Sequence, residues 1–210
     1  MNREGLMLAL ILALAACGPS PARERPMAQQ QGQQHAGDSI TIMRIQPRDG
    51  HGIEVTSPAV GVDGRIADRY SAYRDNLSPP LNWAAVPGAK AYALIVEDPD
   101  APRETPFLHW IAWDIPGEAA ALPATIANAA HPVSPQGMIQ GKNDNGSYGW
   151  FGPRPPRGHG VHHYHFQLFA LDAPLRMDAN STLEEIVNAL KAHTIAEGEM
   201  VGLYEAPATQ

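Results

Sequence analysis

A chain of 210 residues, 44% of them hydrophobic, has room for one domain of ordinary size with its own core. Its formal net charge of −7, with no basic run and no aromatic-basic interleaving, excludes a nucleic-acid surface. The single cysteine, Cys17, leaves no intrachain disulfide and no Cys-x-x-Cys zinc pattern, and 19 glycines with 20 prolines suit a turn-rich β protein better than a helical bundle.

Residues 1–17 read as a lipoprotein signal peptide. Arg3 opens a short basic region, Leu6 to Leu14 form the apolar stretch, and Leu14-Ala15-Ala16-Cys17 resembles a bacterial lipobox, in which the cysteine is lipidated and becomes the first mature residue. Acyl chains contribute about 0.8 kcal/mol per buried CH₂, so several together anchor stably. Gly18, where an aspartate would hold such a protein back, points to the outer membrane, on its periplasmic face, rather than the inner membrane. Residues 18–37, rich in Pro, Gln and Arg, read as a disordered tether spanning roughly 25 Å. A folded domain is then expected over 38–206, and no apolar segment in it is long enough to cross a bilayer.

The domain opens with an expected strand from Ser39 to Ile45, where Ile40 and Ile42 alternate with Thr41 and Met43. Short strands are expected around Ile53 to Thr56 and at Leu81 to Trp83. Ala91 to Asp98 is a clearer strand, with Tyr92, Leu94, Val96 and Asp98 on one face. Phe107 to Ile115 follows, with Phe107, His109, Ile111, Trp113 and Ile115 aligned, and 116–148 reads as loop. Gly152 to Asp172 begins as a Pro- and Gly-stiffened loop and becomes a strand from His162, with His162, Tyr164, Phe166, Leu168 and Ala170 sharing a face. A helix is expected over Thr182 to His193, N-capped by Ser181, with Gly198 stopping the chain before a last strand, Glu199 to Tyr204. The pattern as a whole predicts a mainly β, antiparallel-rich sandwich with one or two peripheral α-helices near the C-terminus.

Asp98, His109, His162 and Tyr164 each sit near the end of an expected strand, on faces otherwise apolar, and Pro- and Gly-rich loops adjoin all of them. Asp98 alone reads equally as a turn cap, and His109 alone as a satisfied core histidine. Together they are convergent polar groups in an apolar surround, which is how small-ligand sites are built. Imidazole N–H and phenol O–H are donors, so the site suits a small phosphate-like or carboxylate anion, with Asp98 orienting one imidazole and holding it protonated.

Asp98-Pro99-Asp100-Ala101-Pro102, His109-Trp110 and Gly152-Pro153-Arg154-Pro155-Pro156 with His162-His163-Tyr164 resemble the two signature blocks of the phosphatidylethanolamine-binding protein family, closest to its bacterial, Raf-kinase-inhibitor-like branch. Ser78-Pro79-Pro80-Leu81-Asn82-Trp83 and Gly141-Lys142-Asn143-Asp144 resemble that branch too, so the likeness runs in order from about Ser39 to Glu205. The resemblance implies an anion pocket built from Asp98, His109, Pro156, His162 and Tyr164, with Asp100, Pro102, Gly152 and Pro155 at its rim. It also implies phosphorylated headgroups or small anions as ligands, no cofactor, and protein partners such as kinases or proteases for some members. Arg154 stands where a small residue or cysteine is more usual, and His163 where an arginine is frequent.

Three other readings compete. A weak hydrolase could use Asp98 with a histidine as base, but no Gly-x-Ser-x-Gly elbow is present, so no catalytic residue is assigned. A metal site could draw on His159, His162, His163 and His165, but neighbours on a strand point to opposite faces, so none is assigned. An interaction module could dock a protein at Trp150, Phe151 and Arg154, and a homodimer could form through an exposed sheet face.

Overall fold

The computed structural model describes residues 40–208. The signal peptide, Cys17 and the tether lie outside the described residues. The elements in chain order are β1 (His51–Gly52), β2 (Val55–Thr56), β3 (Leu81–Trp83), β4 (Ala91–Asp98), β5 (Phe107–Pro116), β6 (Ala121–Leu122), β7 (Ile139–Gln140), β8 (Val161–Leu171), α1 (Leu183–His193) and β9 (Thr194–Glu205). A six-stranded sheet runs β1-β9-β8-β4-β5-β7, antiparallel except where β1 lies parallel to β9, and β2-β3-β6 form a second, antiparallel sheet. The domain is thus mainly β with one α-helix, and no helix among the described residues is long and apolar enough to cross a membrane.

β4 lies at the centre of the large sheet, and every one of its residues is buried because both faces are covered. Tyr92, Leu94 and Val96 pack with Val55, Leu81, Trp83 and Leu122 of the small sheet. Ala91, Ala93 and Ile95 pack on the other face with Ile186, Val187 and Leu190 of α1. The helix is capped by Thr182 rather than by the expected Ser181. Thr182 caps the Glu185 N–H while the Glu185 carboxylate takes the Thr182 N–H, a reciprocal capping box.

The expected loop 116–148 holds the short strands β6 and β7, and further expectations fail for identifiable reasons. Thr41–Arg44 is a 3-10 turn, not a strand, because its N–H groups meet side chains instead of a neighbouring strand: Thr41 donates to Glu97 Oε2 at 2.7 Å and Ile42 donates to Gln167. Gly198 does not interrupt the chain, since β9 passes straight through it. A β-carbon there would stand 1.8 Å from the Ile53 carbonyl oxygen, so the position requires glycine for a close backbone approach, not for a turn.

The expected five-residue stripe of β5 is broken by two register shifts against β4. Val96 pairs with Trp110 and Glu97 with Leu108, which leaves His109 as the extra residue of a bulge. Beyond it Ile111 and Trp113 turn to the α1 side, while Trp110 and Ala112 face the inter-sheet core. The bulge frees His109 from the regular alternation of the strand and aims it beside the end of β4.

Candidate functional site

Where β4 ends, a cavity of about 320 Å³ opens between β4, β5 and the segment leading into β8. Asp98, His109 and His162, each almost completely buried, supply its polar atoms. Ala101, Pro102, Phe107, Phe151, Pro155 and Pro156 form apolar walls, and the exposed Arg103 and Arg154 complete the lining. Few convergent polar groups in an apolar hollow suit a small ligand, and the low local dielectric strengthens any charge-assisted contact made there.

Asp98 is the hub. Its Oδ1 takes the Asp100 N–H at 2.9 Å, which closes the turn after β4, and its Oδ2 takes the His162 Nδ1–H at 2.8 Å. The other His162 nitrogen lies 2.7 Å from His159 Nδ1, one ring donating to the other, so a hydrogen-bonded chain runs from the buried carboxylate to an exposed imidazole. His109 Nε2 stands 4.0 Å from the same Asp98 Oδ2.

His109 is not the cationic donor that residue type alone suggests. Its Nδ1 lies 2.6 Å from the Phe151 carbonyl oxygen, which can only accept, so the ring proton sits on Nδ1. Desolvation lowers its pKa to about 4 against the opposing pull of that carbonyl and of Asp98, and the ring is neutral at pH 7 with a lone pair on Nε2.

Tyr164 lies beside the cavity rather than on its lining. Its ring meets His109 edge to face with centroids 5.0 Å apart, and its hydroxyl is buried without a hydrogen-bond partner. Burial first, and then the negative charge of Asp98, raise the phenol pKa above its ordinary value, so it stays a donor.

The rim residues divide. Pro102 and Pro155 line the cavity with Pro156. Asp100 turns away and takes both the backbone N–H of His163, at 2.8 Å, and its Nδ1–H, at 2.7 Å, which ties the turn after β4 to the start of β8. Gly152 also lies off the lining. Its N–H goes to Asn76 Oδ1, and a β-carbon would meet the Tyr70 carbonyl oxygen at 2.2 Å, so it lets the Pro-rich segment press against residues 70–76. Arg103 escaped the sequence reading, although it directly follows Pro102 and joins Asp144 in an ion pair at 2.7 Å. His163 and His165 pair with Asp100 and Glu199 on the sheet's other face, apart from His159 and His162.

The chain as a whole has relatives. The family model described as phosphatidylethanolamine-binding protein matches residues 56–205. A UPF0098 protein of Pyrococcus abyssi is 45% identical over 150 residues, 71% of this chain and 83% of its own length. LppC of Mycobacterium tuberculosis, which carries a provisional lipoprotein name, is 30% identical over 202 residues, 94% of this chain and 92% of its own. The crystal structure of Escherichia coli YbcL, described as a new member of the mammalian PEBP family, matches with a TM-score of 0.68 at 32% identity, covering 75% of this chain and all of YbcL. By sequence and by fold, the chain belongs to the phosphatidylethanolamine-binding protein family.

Proposed function

We propose that the protein binds a small phosphorylated anion in the cavity beside Asp98, His109, His162 and Tyr164, and does so from a lipid anchor in the bacterial cell envelope. The observation that carries the reading is the Tyr164 hydroxyl, a buried donor without a hydrogen-bond partner beside the cavity that Asp98, His109 and His162 line. Such a group costs about 1–3 kcal/mol unless something accepts from it, and an anion's oxygen does. Arg103 and Arg154 on the lining add positive charge on the approach, which favours an anion over a cation. The family's name, phosphatidylethanolamine-binding protein, agrees with a phosphoryl ligand.

Calorimetric titration with methyl phosphate tests this. His162→Ala removes the donor that orients Asp98, and the expected result is affinity lowered by roughly tenfold or more, with the circular dichroism of the folded domain retained. Equal affinity in the wild type and the variant removes the assignment of the cavity.

Anchoring rests on Leu14-Ala15-Ala16-Cys17 and agrees with the lipoprotein name given to LppC. In this reading Gly18 sends the protein to the outer membrane, and the tether holds the site off the bilayer, where a kinase or protease partner could meet the cavity's edge at Phe151 and Arg154. Labelled palmitate is expected to enter the protein and to be lost in Cys17→Ser; label retained in that variant overturns the anchor.

A further inference from the structure

A site for a fully ionised anion needs N–H groups pointing into it, and here the imidazole protons are already engaged. His109 gives its proton to the Phe151 carbonyl and turns a lone pair on Nε2 toward Asp98. His162 gives its Nδ1–H to Asp98 Oδ2, and its second nitrogen is joined to His159. What faces the space between β4 and the bulge of β5 is therefore a pair of acceptors, Asp98 Oδ2 and His109 Nε2, 4.0 Å apart with no proton between them. A dianion placed there would meet a carboxylate across an apolar cavity, where like charges repel far more strongly than in water. A ligand that brings a proton would satisfy the pair instead.

We propose that the cavity selects phosphoryl groups that carry a proton, inorganic phosphate and phosphomonoesters in their monoanionic form, over phosphodiesters and sulfate. The P–OH donates to the Asp98–His109 pair, and the unprotonated oxygens are left for the Tyr164 hydroxyl and for the guanidinium groups of Arg103 and Arg154. The inference rests on the anion-binding reading and narrows it: the diester of an intact phospholipid headgroup has no such proton, whereas a soluble phosphomonoester does. The charged and titratable groups around His109 are Asp98 from β4, His162 and Tyr164 from β8, Asp144 from the loop after β7, and Arg103 and Arg154 at the lining. Buried His109 is neutral above about pH 4, so its own protonation does not change across the neutral range.

The test is calorimetry on the wild-type protein with methyl phosphate, dimethyl phosphate and sulfate. Dimethyl phosphate has the charge of monoanionic methyl phosphate and no proton, so the two separate charge from hydrogen-bond donation. Methyl phosphate is expected to bind at least about tenfold more tightly than either competitor at low pH, the range expected for one charge-assisted hydrogen bond. Its apparent affinity is then expected to fall about tenfold per pH unit above its second pKa of about 6, as the monoanion is depleted. Dimethyl phosphate or sulfate binding as tightly as methyl phosphate overturns the inference and leaves the anion site standing. Methyl phosphate binding that is flat across pH does the same. Failure of all three to bind overturns the anion site itself, and this inference with it.

Discussion

Tyr164→Phe is expected to weaken methyl phosphate binding by roughly ten- to a hundredfold while leaving the domain at least as stable as before. The substitution deletes one oxygen and nothing else. In the unliganded protein that oxygen is buried and bonds to no other group, so its removal breaks no hydrogen bond. It also relieves the unmet desolvation of the hydroxyl, about 1 kcal/mol or more in favour of the variant. The ring keeps its edge-to-face contact with His109 and its place in the core shared by the two sheets. Loss of affinity together with an unchanged or raised Tm is a pairing that no general loosening of the fold produces. A variant that loses stability and binds as well as the wild type would show that the hydroxyl serves the fold and not the ligand.

The second large effect is expected at Glu97, next to Asp98 in β4 but on the opposite face of the strand. Glu97→Ala is expected to destabilise the domain by about 3 kcal/mol, read as a lowered midpoint in urea denaturation. The Glu97 carboxylate, 3% exposed, takes the Thr41 N–H at 2.7 Å, the Thr41 hydroxyl at 3.2 Å and the Gln167 side-chain N–H at 2.8 Å. Alanine leaves those buried donors without an acceptor, and the 3-10 turn Thr41–Arg44 keeps the Ile42 bond to Gln167 but loses both Thr41 bonds to the sheet. Strand alternation thus sets two buried acids back to back, Asp98 toward the cavity and Glu97 toward the segment through which the chain enters the domain.

Glu97 also carries a pH signature. Burial raises its pKa above the ordinary glutamate value, against the lowering effects of Gln167, Thr41 and Arg44. A raised pKa means the native state holds the proton more tightly than the unfolded state, so stability falls as pH climbs from the ordinary value through the raised one. Glu97→Gln keeps an acceptor oxygen and removes the titration, and its Tm is expected to vary less with pH across that window. A variant curve as steep as the wild type's would place the pH dependence in another group.

What was legible in the sequence follows the range of the interactions involved. β4, β3 and α1 were readable because their signals are local: an apolar run ending at Asp98, a Leu-Asn-Trp alternation, and an amphipathic face of Leu183, Ile186, Val187 and Leu190. The turn at Thr41–Arg44 was misread because Ile40 and Ile42 alternate with Thr41 and Met43 as a strand would, while the acceptors for its N–H groups, on Glu97 and Gln167, lie 56 and 125 residues away. Gly198 was misread for the same reason, since the backbone that demands a glycine belongs to Ile53.

The sequence by itself determined the fold family and singled out Asp98, His109, Pro156 and His162 of the cavity lining, because strand ends and Pro-rich turns are written in local residue patterns. Only the tertiary structure decided their chemistry. The Phe151 carbonyl, 42 residues from His109, takes that ring's proton, and the bulge in β5 turns the remaining lone pair toward Asp98. A side chain's donor or acceptor character depends on which partner holds its proton, and that partner is chosen by packing rather than by residue type.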